Sequence, residues 1–212
     1  MTAFLLISAP LFFLTSVCLA WRLPRSMAFQ SYLKGLLVCV PAFCFLVIPS
    51  GGLPLSYRPL LFYVHHLAED FLIHQALLLG GFFLLDRPRG EQQQTVLLSL
   101  FAFGCGYMSL ANVANFVMSF PRYESYVLFL LPIYRLCLVV ATAILVARCY
   151  RSPDRRPLLV AGVIVLPFLT AAGAALAHAN FGYISLILAA LLAAGTGVYA
   201  RMALPTLGAG RN

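Results

Sequence analysis

Seven apolar runs divide the chain, near residues 2–21, 32–50, 59–86, 95–120, 125–148, 157–178 and 181–201. A bilayer core takes about 20 apolar residues at about 1.5 Å rise each, so every run is of spanning length. The joints are short and read RLPRS, PSGGLPLSYRP, DRPRGEQQQ, FPRYES, CYRSPDRRP and AHANFG. Each is a cluster of Pro, Gly or charge that cannot continue a lipid-facing helix. The pattern predicts an all-α fold, a polytopic transmembrane bundle of about seven helices in a single domain 1–212, leaving no stretch for a soluble domain.

Composition agrees, since 62% of the residues are hydrophobic and 9% charged, where a soluble domain has roughly 45–50% and 25%. The basic residues add an orientation. Arg22, Arg25 and Lys34 fall between the first and second spans, Arg87 and Arg89 after the third, Arg148, Arg151, Arg155 and Arg156 after the fifth, and Arg201 and Arg211 at the tail. The other joints hold Arg58 and Arg122, so the split is eleven to two. With short loops this is the positive-inside pattern, which predicts the amino terminus outside, the carboxyl terminus in the cytoplasm, and residence in the cell membrane. The net charge of +8 is then topology, and no nucleic-acid partner is read into it. The first run has no basic n-region and carries Val17 before Cys18, which reads as a retained helix rather than a signal peptide. Six scattered cysteines without CxxC spacing read as small packing residues.

The third span, PLLFYVHHLAEDFLIHQALLLGGFFLLD, departs from this apolar background. His65, His66, Glu69, Asp70 and His74 share half the circumference of an α-helix, while Val64, Leu67, Ala68, Phe71 and Leu72 take the other half. The polar half is expected to face the bundle or a water-filled cavity. Counting from the cytoplasmic ends, His74 lies about 18 Å up, Asp70 about 24 Å and His66 about 30 Å. Arg135 lies about 20 Å up the fifth span, and Asn112 and Asn115 about 27 and 32 Å up the fourth. His178, Asn180 and Tyr183 join the same outer layer from the sixth and seventh spans.

A charge at the bilayer centre costs about 2.5–3.5 kcal/mol on insertion scales, so Arg135 is expected to have a partner. Asp70 is nearest in depth and Glu69 the alternative; the second carboxylate is then free for chemistry. This arrangement suits a carrier or binding protein whose outward-facing site, Glu69, Asp70, His74, Arg135, Asn112 and Asn115, takes a proton, a cation or a small polar solute.

Metal binding is a second reading. The pairs His66/Asp70, Asp70/His74 and His65/Glu69 are each spaced i, i+4, which lets two side chains of one helix reach one ion. His66, Asp70, His74 and His178 are the candidate ligands for a divalent metal such as zinc, with Glu69 as general base of a hydrolase acting near the outer leaflet. A third reading is a non-catalytic subunit or sensor, whose partners are other membrane subunits besides the lipid bilayer. Prolines inside four spans, Pro10, Pro41, Pro132 and Pro167, give a three-plus-one-plus-three pattern. In layout this resembles sugar transporters of the SWEET type, which implies parallel repeats with proline hinges, although the proline-glutamine motif is missing.

Overall fold

The computed structural model describes residues 25–47, 60, 63–64, 66–86, 93–119, 125–151, 153–178 and 181–208, with the side chains of Glu69, Asp70, Asn115 and His178 outside the described set. Helix α1 is Arg25–Val47, a π-helical segment covers His66–Ile73, and α2 is His74–Leu85. Helices α3, Gln93–Ser119, and α4, Ser125–Arg151, follow. A 3-10 turn at Pro153–Arg155 leads into α5, Arg156–His178, and α6 is Gly182–Gly208. No strand occurs among the described residues. Five of their helical stretches are long and apolar enough to cross a membrane: His66–Leu85, Thr95–Ala114, Leu130–Tyr150, Arg156–Ala177 and Gly182–Met202.

The described helices overlap six of the expected runs. Two reach beyond them. Helix α1 is already formed at Arg25, ahead of the run expected from 32, and Ala28 and Ser31 in this added stretch are buried against the bundle. Protein contacts there extend the helix beyond the apolar run that hydropathy picks out. Helix α6 likewise continues past 201 to Gly208, since an α-helix satisfies its backbone internally and has no need to stop at a change of polarity. The expected first span, 2–21, lies outside the described residues.

Neighbouring helices alternate in direction. Gly81 of α2 lies against Val38 of α1 while Asp86, just beyond α2, pairs with Lys34, so α1 and α2 are antiparallel. Gly104 abuts Val139 and Asn112 meets Arg135, which makes α3 antiparallel to α4. Gly162 faces Leu145 and Gly173 faces Tyr134, reversing α5 relative to α4. Near their starts α4 and α6 are joined by Tyr134 and Ser185, and near their ends by Arg148 stacked 4.8 Å from the Tyr199 ring. They are parallel. Lys34, Asp86, Arg148, Arg155, Arg156 and Arg201 therefore belong to one end of the bundle.

Helix α3 is its centre: its apolar stretch is 89% buried, against 11% for that of α6. The most extensive packing is between α1 and α3, where two glycines let backbones touch. A Cβ on Gly35 would stand 2.0 Å from the Phe103 carbonyl oxygen, and one on Gly106 would stand 2.0 Å from that of Tyr32. The main core, built on this pair, includes Tyr32, Cys39, Phe82, Phe103 and Ile144. A second core joins Phe71 of the π segment to Leu130, Tyr134, Ala171, Ala174 and Ala177.

Candidate functional site

A polar layer lies between these two cores, and its most demanding member is Arg135. Its side chain is completely buried, one turn after Pro132 on α4, and its Nη1 donates to Asn112 Oδ1 at 3.1 Å. Asn112, expected about 7 Å higher than Arg135, is thus within reach of its long side chain. Cys39 of α1 and Tyr107 of α3 lie within electrostatic range of the guanidinium, so two other helices flank it.

His74 is the next member. It begins α2 and is buried, with Nδ1 2.8 Å from the Tyr107 hydroxyl and the two rings packed edge to face. A neutral imidazole and a phenol each offer one donor and one acceptor, so this pair can hold a proton in either sense. Along α3 the polar positions continue through Ser109, whose hydroxyl donates to the Cys105 carbonyl and accepts from Tyr32 at 3.0 Å. Gln75, adjacent to His74, reaches the other way, donating to the Val163 carbonyl of α5 at 2.9 Å.

The backbone carrying Glu69 and Asp70 is π-helical from His66 to Ile73. π-Turns occupy well under 1% of residues, and where they interrupt α-helices they are frequent at functional sites. The i→i+5 bonding widens each turn, and the half-polar, half-apolar division expected of an α-helix is altered accordingly. Phe71, assigned to the half away from the polar side chains, is fully buried in the second core. His66 is buried as well. The segment is covered on two sides, with Val64 and Ile73 exposed.

The structure therefore brings together His74 and Arg135 with Asn112, and it adds Tyr107 and Gln75, which polarity alone did not single out. Tyrosine and glutamine in an apolar run carry no charge to flag them; what marks them is a partner on another helix, His74 of α2 for Tyr107 and the Val163 carbonyl of α5 for Gln75. The expected pairing of Arg135 with Asp70 or Glu69, and the side chains of Asn115 and His178, lie outside the described set. So do His65 and, of the ligands proposed for zinc, Asp70 and His178; among the described residues no three His, Cys, Asp or Glu side chains gather as a metal site. By place in the fold, His178 ends α5 directly after Ala177, which packs with Phe71.

An all-helical, multi-pass membrane protein with a buried arginine–histidine layer is the class that fold and site define. Comparison with protein-family models, curated proteins and solved structures finds no match.

Proposed function

We propose that the chain is a seven-helix carrier or binding protein of the cell membrane, amino terminus outside and carboxyl terminus in the cytoplasm, whose layer around Arg135 takes a proton, a cation or a small polar solute. The observation that carries the reading is the completely buried Arg135 bonded to Asn112 beside the buried His74–Tyr107 pair. A charge in this setting costs several kcal/mol, on the order of 2.5–3.5 by insertion scales, and in membrane helices such groups mark substrate paths and proton relays. The orientation is supported by the grouping of Lys34, Arg148, Arg155, Arg156 and Arg201 at one end of alternating helices, the end that the positive-inside rule assigns to the cytoplasm.

In this reading Asp70 or Glu69, carried on the π-helical segment, balances Arg135. Protonation of that carboxylate, or of His74, leaves the guanidinium with less negative charge to face and shifts the preference between two helix arrangements. A ligand or proton moves the equilibrium only through such a difference in interaction with the two states.

The test is uptake into vesicles. Purified full-length chain, reconstituted with a pH-sensitive dye inside, is expected to admit protons under an imposed gradient, and Asp70→Asn to abolish the flux. Native flux and native pH dependence in Asp70→Asn would sink the reading; so would a native chain that carries no protons and retains no cation or polar solute.

A further inference from the structure

Proline at position 167 interrupts the hydrogen-bond ladder of α5, because it has no N–H to give to the carbonyl of residue 163. An unsatisfied carbonyl in the membrane core costs several kcal/mol, and a nearby side chain commonly takes over the bond. Here that side chain comes from another helix. Gln75 Nε2 donates to the Val163 carbonyl at 2.9 Å and lies 3.4 Å from the Thr142 hydroxyl of α4, and Gln75 is itself buried. On the other side of the break Thr170 Oγ donates to the carbonyls of Leu166 and Pro167 at 3.1 and 3.0 Å, so the turn around the proline is held at both ends.

Gln75 directly follows His74, and the two residues stand where the π-helical segment gives way to α2. One reaches Tyr107 on α3 and the other Val163 on α5. We infer that Gln75 is a positioning residue of the His74 site: its amide replaces the N–H missing at Pro167, and it thereby fixes the proline break of α5 to the turn of α2 that presents His74. Movement of α5 about Pro167 is then communicated to His74, and displacement of His74 to α5. Calling the His74 turn a working site rests on the proposed function; the substitution of the missing donor rests on geometry alone.

The geometry makes a specific demand. With alanine at 167 the helix regains its own donor to Val163, and Gln75 becomes redundant there. In detergent-solubilised full-length chain, Gln75→Met, which keeps the length and removes the donor, is expected to lower Tm by about 2–4 °C, the shift of a single net hydrogen bond in a chain of this size. The same change made in Pro167→Ala is expected to cost less than half as much. An equal loss in both backgrounds, or no loss in either, overturns the inference. Should Pro167→Ala fail to fold, amide hydrogen exchange decides. Tyr107→Phe, which deprives His74 of its partner, is expected to speed exchange in the α5 stretch 164–171 several-fold in the otherwise native chain and to add nothing once Gln75→Met is present. An undiminished effect of Tyr107→Phe in that background, or none in the native one, likewise overturns it. Neither readout requires transport, so a chain that carries no protons fails the proposed function and leaves this inference to its own result.

Discussion

Substituting alanine for Gly35 or Gly106 sets two effects of opposite sign against each other. Inside a helix alanine is favoured over glycine by about 0.8–1.0 kcal/mol, so propensity predicts a more stable protein. Contact geometry predicts the reverse. The new Cβ would lie 2.0 Å from a backbone oxygen across the α1–α3 crossing, whereas carbon and carbonyl oxygen settle at about 3.3 Å or more. The helices must separate by roughly 1.3 Å to reach that distance. A flexible side chain could swing aside, but a helical carbonyl moves only with its helix, and overpacking of this kind costs about 1–3 kcal/mol. The helices that part also carry Tyr107, Cys39 and the Tyr32–Ser109 bond, so contacts around the polar layer loosen together. Tm of the purified chain is expected to fall by about 2–8 °C for either variant. Gly80, Gly195 and Gly197 supply the control, because a Cβ there meets nothing within 4 Å; alanine at those sites is expected to be neutral or to raise Tm by up to about 4 °C. If Gly35→Ala and Gly106→Ala prove as stable as Gly195→Ala, the close crossing and the reasoning built on it are wrong.

Other perturbations address the layer and the ends of the bundle. Asn112→Leu removes an acceptor from a buried guanidinium and is expected to cost about 1.5–3 kcal/mol in denaturant or thermal unfolding; Arg135→Met combined with Asn112→Leu is expected to recover most of that stability while abolishing uptake, since an apolar pair replaces a buried polar one. Failure of the double variant to recover would mean that Arg135 is structural first. Tyr107→Phe leaves the buried His74 Nδ1 without its hydroxyl and is expected to cost about 1–3 kcal/mol, measurable by the same unfolding. Exchanging the charges in Lys34→Asp with Asp86→Lys is expected to restore stability that each single change loses, as a double-mutant cycle would report, because the Asp86 partner is the more buried of the two. Cysteine introduced at Arg155 or Arg201, both exposed, is expected to react with an impermeant thiol reagent only in inside-out vesicles; reaction from outside intact cells would reverse the proposed orientation.

The helices were legible because a lipid-facing span has to be apolar and continuous, which leaves its limits written in the joints. Helices α3, α4 and α5 cover the apolar runs near 95–120, 125–148 and 157–178 for that reason. Where protein rather than lipid covers a helix the rule weakens. Ala28 lies in α1 before the apolar run begins near 32 and is buried, and Tyr32 at the start of that run packs on α3 against Gly106, a glycine more than 60 residues away and invisible to any local pattern.

The layer was legible in height and less so in azimuth. A rise of about 1.5 Å per residue is nearly independent of neighbours, yet counting from the helix ends set Asn112 about 7 Å above Arg135, a gap that the long arginine side chain closes, since the two touch. Which way a side chain points accumulates turn by turn, and the π-helical segment His66–Ile73 changes the winding where the polar residues are densest. Phe71 is accordingly buried in the core that the segment shares with α5 rather than exposed to lipid. Tyr107 and Gln75 illustrate a different limit. Each is an unremarkable residue until a distant one demands it: Tyr107 because the His74 imidazole is buried and needs polar partners, Gln75 because Pro167 has no N–H for the Val163 carbonyl of α5. In a membrane interior the need for a partner is set by the helix that lacks one, while the residue that answers it stands on another helix, 92 positions away in the case of Gln75 and Pro167. Polar residues that look dispensable in such a chain are therefore best sought opposite its prolines and buried charges, at matching height.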